Sequence, residues 1–487
     1  MVTAAHGLVL LVVIPLAAAA VIPALGRLRP GLAWPLALLA TTATLVVSID
    51  LLFSLLESGP IVMTVGGWVA PYGIELRFDA FAALIVGFTL VFLLSLVFAR
   101  HAIPARRAGL FHALMLINLG GLNGFMITGD LFNLFVFAEV FSVSAYALVA
   151  VGGRKGASLA ALKYLLIGAV SSMLVLLGVG ILFAQTGSVN MADVADRLGE
   201  AESAMPAVLA MILLVIGFMV KAALFPLHVW LPDAHSSAPG PVSAVLSGIV
   251  VKAGIIGLVR TVQIFGESDL LSLDNLQSML IVLGAIGALF GAAAALVQSD
   301  LKRMLAFSTV ANIGYIGMGL GLGSVTAMAG ASAHMLNHAV VKSALFLGAA
   351  ALIHVTGLRR IDDLRGLGER MPLTSLSIGV SMLALAGVPP TAGFVGKWQI
   401  ALGALEAGLP GLLVVIIAGG LLVLAFGVRL LNILFFQSPL HARVLECKEA
   451  PPSMIAPVLV LSALAVVLGL FGTWLLGFFA GPLMDLV

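Results

Sequence analysis

Runs of about twenty apolar residues recur along the whole chain, and this pattern constrains the fold more than any other feature. An α-helix needs about 20 consecutive apolar residues to cross the hydrocarbon core of a bilayer. Of the 487 residues, 61% are hydrophobic and only 9% are charged. Glycine and proline are frequent, and helices inside a membrane tolerate both. The sequence therefore predicts an all-α polytopic membrane protein.

The apolar runs predict about 14 transmembrane segments. They lie near residues 8–25, 33–56, 79–99, 110–128, 131–151, 162–185, 205–225, 240–264, 277–297, 304–322, 326–354, 374–398, 411–437 and 455–477. The first run could pass for a signal peptide, but no Arg or Lys precedes its apolar residues, and we interpret it as a retained helix.

Two of these segments combine helix-breaking prolines with a lysine. Segment seven contains KAALFP at 221–226, and segment twelve contains PPTAGFVGK at 389–397. They lie five segments apart, and an odd offset means that matching segments cross the membrane in opposite directions. Broken helices at corresponding positions point to the binding site in transporters. We therefore predict one membrane domain with two inverted five-helix repeats, divided as helices 1–3 (1–100), repeat one (110–264), repeat two (277–437) and helix 14 (455–487).

Charges in alternate loops predict the orientation. Basic residues concentrate in the loops on one side, at Arg27, Arg29, Arg100, Arg106, Arg107, Arg154, Lys155, Lys302, Arg303, Arg359, Arg360, Arg365, Arg370, Arg443 and Lys448. The other side has only Arg77 and Arg197, and is acidic at Glu57, Glu75, Asp193, Asp196, Glu200, Glu202, Glu267, Asp269 and Asp274. By the positive-inside rule both termini face the outer, periplasmic side of a prokaryotic cytoplasmic membrane.

Four lysines and one carboxylate lie in or against apolar segments: Glu139, Lys221, Lys252, Lys342 and Lys397. A charge at the centre of a membrane helix costs about 2.5–3.5 kcal/mol, so the five together cost on the order of 10 kcal/mol without partners or water. Such residues usually mark an ion path. The alternatives are a purely structural hydrogen bond for Glu139, and lysines that extend to the interface for Lys221 and Lys252.

Segment eleven places His334, Asn337, His338 and Lys342 along one helix, with both histidines and the lysine on one face. Histidine titrates near neutral pH and exchanges protons at both ring nitrogens, so a proton relay is the favoured interpretation. Buried, hydrogen-bonded histidines are the structural alternative. Two histidines four residues apart also suit zinc, but no third ligand or catalytic glutamate accompanies them.

Further polar residues could support such a path. Ser308, Thr309 and Asn312 in segment ten can order water between charged groups or hydrogen-bond neighbouring helices. Lys163 opens segment six, where it is either part of the path or an interfacial anchor.

Several enzyme classes find no support in the sequence. The single cysteine, Cys447, excludes a disulfide framework and a cysteine-ligated iron–sulfur cluster within this chain. We find no Walker loop and no dinucleotide fingerprint. We therefore expect no cofactor and no redox site in this chain, and energy from an ion gradient or from a partner subunit.

The motifs resemble one family over nearly the whole chain: the antiporter-like subunits shared by Mrp-type multisubunit sodium/proton antiporters, membrane-bound hydrogenases and respiratory complex I. The resemblance rests on GDLFNLFVFAEVFSVSAYALVA (129–150), ALKYLLIGAVSS (161–172), KAALFPLHVWLPDAHSSAPGPVSAVLSGIVVKAG (221–254), SDLKRMLAFSTVANIGY (299–315), HMLNHAVVKSALFL (334–347) and GVPPTAGFVGKW (387–398).

The resemblance implies a chain of charged and hydrated groups along the middle of the membrane, with half-channels to each side. It implies that Glu139 pairs with Lys221 and that Lys252 leads toward the groups of segments eleven and twelve. It carries these roles onto Glu139, Lys221, Lys252, His338, Lys342 and Lys397. It also implies homologous and small membrane subunits as partners in a hetero-oligomeric complex, with protons as the transported ions and sodium as a second candidate ion.

The branch of the family stays open at this point. The leading interpretation is the D-type subunit of an Mrp sodium/proton antiporter, and the alternative is a proton-pumping subunit of a redox complex, either a membrane-bound hydrogenase or complex I. The sequence ends about ten residues after the last predicted segment, without a long lateral helix, and carries Lys397 where some complex I members have glutamate. Both features favour the D-type or hydrogenase-linked branch. A structural scaffold without transport is the third alternative.

Overall fold

The computed structural model describes residues 4–153, 156–268 and 270–483 and is built almost entirely from helices. Within these ranges, 13 helices are long and apolar enough to cross a membrane. The predicted all-α polytopic membrane fold is therefore confirmed. Three residues used to predict the orientation, Arg154, Lys155 and Asp269, lie outside the described residues.

The first half of the chain forms eleven α-helices: α1 (Ala4–Leu28), α2 (Ala33–Ser58), α3 (Leu84–Ala102), α4 (Ala105–Ile127), α5 (Leu131–Val151), α6 (Ala157–Thr186), α7 (Met191–Gly199), α8 (Met205–Ala222), α9 (Leu231–Ser237), α10 (Gly240–Val245) and α11 (Val251–Glu267). A π-helical turn, Leu246–Val250, joins α10 to α11, so these two form one continuous span.

The second half forms α12 (Asp274–Leu296), α13 (Leu301–Gly321), α14 (Val325–Thr356), α15 (Leu367–Arg370), α16 (Pro372–Ala386), α17 (Ala392–Glu406), α18 (Gly411–Phe436), α19 (Ala442–Glu446), α20 (Pro452–Leu470) and α21 (Gly472–Leu483). Short 3₁₀ turns cover Pro30–Leu32, Val65–Gly67 and Ile361–Leu364.

Both predicted helix breaks are present. α8 ends at Ala222, and the chain turns at Ala223, which has a left-handed φ of 53°. The predicted segment twelve is two helices, α16 and α17, separated by a turn at Gly387 with φ of 90°. A helix that ends inside the bilayer leaves backbone carbonyls free to bind a cation.

A short β-hairpin is the one departure from the all-helical prediction among the described residues. β1 (Ile61–Thr64) pairs antiparallel with β2 (Glu75–Phe78), and Leu76 forms a further bridge to Thr128. β2 alternates buried and more exposed side chains, as a half-buried strand does. A run of four residues is too short for a sequence pattern to distinguish from loop.

Two aspartates begin α5 and α13 in the same way. Asp130 accepts a hydrogen bond from the backbone N–H of Asn133 (2.6 Å) and pairs with Asn190 in a β-bridge. Asp300 accepts one from the backbone N–H of Arg303 (2.9 Å) and pairs with Arg360. Each aspartate thus caps a helix N-terminus and ties it to the chain that follows the next helix.

Small residues let the helices of the second half approach closely. A Cβ built on Gly314 of α13 would lie 2.5 Å from the backbone nitrogen of Ala288 in α12. Close backbone contact through glycine is typical of membrane helix pairs, where packing rather than water drives association.

Candidate functional site

Glu139 and Lys221 lie together in the membrane. Glu139 Oε1 is 3.7 Å from Lys221 Nζ, and the Ser172 hydroxyl donates to the same carboxylate oxygen. Lys221 also donates to the hydroxyls of Ser142 (3.1 Å) and Ser172 (3.0 Å). Lys221 is buried, whereas about a third of the Glu139 side chain is exposed. Ser172 thus bridges an acid and a base that a small side-chain movement would separate.

Lys252 follows the π-helical turn of the eighth span. Its Nζ donates to the backbone oxygen of Ser247 at 2.5 Å, and the Ser247 hydroxyl is 2.7 Å from that of Thr309. π-Helical turns are rare and often occur at functional sites. The next turn packs against the end of α8, because a Cβ on Gly254 would lie 2.2 Å from the backbone nitrogen of Ala222. The two lysines therefore lie on directly contacting elements.

Glu139, Lys221, Lys252, Lys342 and Lys397 form a row of charged residues, and Lys342 continues this row across α13. Its Nζ donates to the Ser308 hydroxyl at 2.8 Å and to the backbone oxygen of Leu305, and it lies 4.9 Å from the Phe346 ring centroid. The residue has no exposed surface.

The two histidines of α14 lie in the same buried region. His334 Nε2 is 3.1 Å from Asn312 Oδ1, and the His334 and His338 rings stack with centroids 6.2 Å apart. Among residues 4–153, 156–268 and 270–483, neither ring nitrogen of His338 has a hydrogen-bond partner, and neither polar atom of the Asn337 side chain has one. Buried polar atoms are normally hydrogen-bonded, so these orphaned atoms indicate places for water.

Lys397 lies at the second helix break. It donates to the backbone oxygens of Leu385 (2.8 Å) and Ala386 (3.2 Å), the last residues of α16, and its Nζ is 4.6 Å from the Tyr315 ring centroid. The C-terminal end of a helix attracts cations through its free carbonyls and dipole. This explains why a lysine follows the break in the sequence.

Lys163 is not brought into this buried row. Its Nζ donates to Asp233 at 2.9 Å, the side chain is half exposed, and Asp233 also pairs with Arg303 at 3.1 Å. Burial alone would raise the pKa of Asp233, but the hydrogen bonds and charges of Lys163 and Arg303 outweigh it and lower the pKa. The three residues clamp α6, α9 and α13 together between the spans.

Sequence reasoning missed several groups. Ser142 and Ser172 surround Lys221, but isolated serines in apolar helices are too common to single out. The sequence did contain a signal for Arg260, because a charged residue inside the predicted segment eight is expected to be buried. Arg260 pairs with Asp79 at 2.7 Å, and both side chains are about nine-tenths buried.

The row has an uneven charge distribution. Its only carboxylate is Glu139, and none of the salt bridges found among residues 4–153, 156–268 and 270–483 includes Lys252, Lys342 or Lys397. The proton affinity of a buried lysine responds strongly to neighbouring charges. Such an arrangement suits proton transfer along a relay.

The fold and this row define a class of protein: a polytopic helical membrane protein with two broken helices and a row of charged residues inside its helix bundle. Residues 128–423 match the family model described as "NADH:quinone oxidoreductase/Mrp antiporter, TM". The chain belongs to this family, and the resemblance stated from its motifs is confirmed.

Individual relatives fall in more than one branch. The chain is 40% identical over 96% of both lengths to NADH-quinone oxidoreductase subunit N of Desulforudis audaxviator. It is 34% identical, covering 88% of this chain and 87% of the relative, to the D-type subunit of the Na(+)/H(+) antiporter of Alkalihalophilus pseudofirmus. Among solved structures, a chain of the membrane-bound sulfane sulfur reductase, an archaeal respiratory membrane complex, aligns with a TM-score of 0.92 at 31% identity over 99% of this chain and 97% of that one. These relatives support both the leading interpretation and its alternative.

Proposed function

We propose that this chain is the proton-translocating subunit of a multisubunit monovalent cation/proton antiporter, similar to the D-type subunits, and that it works inside a hetero-oligomeric membrane complex. Protons move along the buried row, with Glu139 and Lys221 at one end and Lys397 at the other. His334, His338 and the polar residues of α13 connect Lys252 to Lys342 and Lys397. Lys163 has at most a supporting role from its place outside the row.

One observation carries this proposal. Five ionisable residues that are expensive to bury lie along the helices between the two breaks. Hydroxyl and carbonyl groups link Glu139 to Lys221 and Lys252 to Lys342. Close packing joins these groups to each other and to the second break, with Gly254 against Ala222 and Gly396, next to Lys397, against His334. The Lys221 end contains the acid and two serines, and the Lys397 end contains helix carbonyls. A structural scaffold would need neither the unpartnered nitrogens of His338 nor three lysines without a salt bridge.

The inverted repeat and the orientation belong to the same proposal. The equivalent aspartate caps and β-bridges at Asp130 and Asp300 support a repeat that relates α4–α11 to α12–α18. The charge distribution of the loops supports termini on the outer side of a prokaryotic cytoplasmic membrane.

The test is cation-driven proton flux in inside-out vesicles that contain the complex and no respiratory substrate. Addition of NaCl is expected to release protons from acidified vesicles carrying the wild-type chain and not from those carrying Lys221→Met. Equal flux in both, with equal amounts of assembled complex, would refute the pumping role.

A second candidate is a proton-pumping subunit of a redox complex, favoured by the 40% identity to an NADH-quinone oxidoreductase subunit. Mass spectrometry of the intact complex, purified through a tag on this chain, separates the two, together with an assay for iron and flavin. Membrane subunits alone indicate the antiporter. Iron–sulfur or flavin proteins in fixed ratio indicate the redox complex.

A further inference from the structure

A cavity of about 610 Å³ lies apart from the row described above, at the side that the loop charges assign to the exterior. It is formed where the β-hairpin, the start of α7 and the end of α11 meet the C-terminal helix. This volume is many times what a single water molecule needs.

One face of α11 lines this cavity along its depth. Arg260, Gln263, Ile264 and Glu267 all contribute to the wall, and their i, i+3, i+4 and i+7 spacing places them on a single helix face. Arg260 lies about 10 Å along the helix axis from Glu267, and Lys252 lies about 12 Å further inward, at 1.5 Å per residue. The cavity thus extends from the end of the span toward the row of lysines.

A buried ion pair closes the inner end. Arg260 Nη1 donates to Asp79 Oδ2 at 2.7 Å and to Gln263 Oε1 at 3.1 Å, and Asp79 Oδ1 accepts the backbone N–H of Ala82 at 2.9 Å. Burial would raise the pKa of Asp79, but the charge and hydrogen bond of Arg260 outweigh it and lower the pKa. Between Arg260 and Lys252 the helix is apolar, and its residues there, such as Ala253 and Ile256, are buried.

The second guanidinium nitrogen of Arg260 has no hydrogen-bond partner among the residues that the structure describes. Arg260 is 7% exposed and its Nη2 is buried. The charged wall holds three acids and two bases, adding Glu75 and Arg77 to those named, so it carries one net negative charge and disfavours a free anion.

We propose that this cavity is the outer aqueous vestibule of the ion path, in which Glu75 and Glu267 concentrate hydrated monovalent cations, protons included, and the Arg260–Asp79 pair forms the barrier at its inner end. The proposal rests on the proposed function and orientation, and it specifies where ions meet the chain from outside.

Cysteine accessibility tests the vestibule without measuring transport, so its failure is distinct from a failure of the proposed function. Cys447 is the only native cysteine, and Cys447→Ser gives a cysteine-free chain in the assembled complex. Ala192→Cys then adds a thiol at an exposed position in the cavity wall. Ser203→Cys, exposed in the same connection between α6 and α8 but outside the wall, is the matched control.

The probes are membrane-impermeant methanethiosulfonates of similar size, one cationic and one anionic, added outside intact spheroplasts. Ala192→Cys is expected to react from outside, and severalfold faster with the cationic reagent than with the anionic one, because the three acids and two bases of the wall leave one net negative charge. Adding Glu75→Gln and Glu267→Gln leaves one acid and two bases in the wall, so it is expected to reverse this preference at Ala192→Cys and to leave the rates at Ser203→Cys unchanged. Ile256→Cys, one turn inward of Arg260, is expected to stay unlabelled.

Four results would overturn the proposal. The first is no labelling of Ala192→Cys from outside while Ser203→Cys reacts. The second is a reagent preference that the two glutamine substitutions do not change. The third is labelling of Ile256→Cys at the rate of Ala192→Cys, which would remove the barrier. The fourth is labelling of neither Ala192→Cys nor Ser203→Cys from outside, which would overturn the orientation and the vestibule with it.

Discussion

Neutralising the Glu139–Lys221 pair is the most direct test of the proposed path. At 3.7 Å and an effective dielectric constant of about 20, the charges attract each other by about 4.5 kcal/mol. Because the Glu139 side chain is 35% exposed, we discount this by about half for screening, to about 2 kcal/mol. Glu139→Gln is therefore expected to slow proton transport about 30-fold, since 1.36 kcal/mol corresponds to a factor of ten in rate. Lys221→Met is expected to slow it at least as much.

The assay is the initial rate of cation-driven proton flux in inside-out vesicles, normalised to assembled complex on native gels. If the two residues act as one unit, the double variant is no slower than the slower single variant. Glu202→Gln, at an exposed loop position, is the matched control and is expected to transport at the wild-type rate. Wild-type flux in Glu139→Gln, or a double variant whose losses multiply, would refute the coupling.

Three further perturbations follow from the buried row and its framework. Lys252→Met replaces a fully buried charge that lacks a carboxylate partner, so the melting temperature is expected to stay equal or rise while flux falls at least about tenfold; a lower melting temperature with normal flux would contradict this. Gly314→Val places side-chain atoms against the α12 backbone and is expected to lower the melting temperature by several degrees or prevent assembly, whereas Gly180→Ala, at an open position, is not. Asp233→Asn is expected to destabilise the complex at pH 7, because the pKa of Asp233 is lowered in the folded state. The ionised carboxylate therefore stabilises the folded state at pH values above its unfolded-state pKa of about 3.9. This stabilisation disappears as the pH falls through the folded-state pKa. A melting difference that persists unchanged at the lowest pH would contradict the assignment.

Much of the fold could be predicted because membrane helices leave a strong signal. Apolar runs of about twenty residues locate the spans, and proline next to lysine located both breaks at Ala223 and Gly387. The hairpin of β1 and β2 was not predicted, because its strands have four residues each and no long periodic pattern.

The charged groups of the site could be predicted for a related reason. A lysine or glutamate in an apolar run is conspicuous, and the structure brings Glu139 and Lys221 together. The residues that connect the charges are serines, backbone carbonyls and a π-helical turn, and these depend on tertiary contacts between spans that are distant in sequence. Lys163 could not be assigned in this way. Its position next to an apolar run does not show that its side chain pairs with Asp233 at the surface.

Under the proposed repeat, the two halves of the chain carry different side chains at an equivalent position of the same fold. Glu139 lies nine residues after the capping Asp130, and Thr309 lies nine residues after the capping Asp300, so a hydroxyl occupies in the second half the place of the carboxylate in the first. The second half thus holds Lys342 and Lys397 buried without a carboxylate partner among the described residues. A proton that arrives on one of them must be balanced by water or by the departure of another proton, because two uncompensated cations in a low-dielectric interior repel each other strongly. The movement of charge at Glu139 and Lys221 would then propagate through the second half by repulsion between lysines, without a second acid.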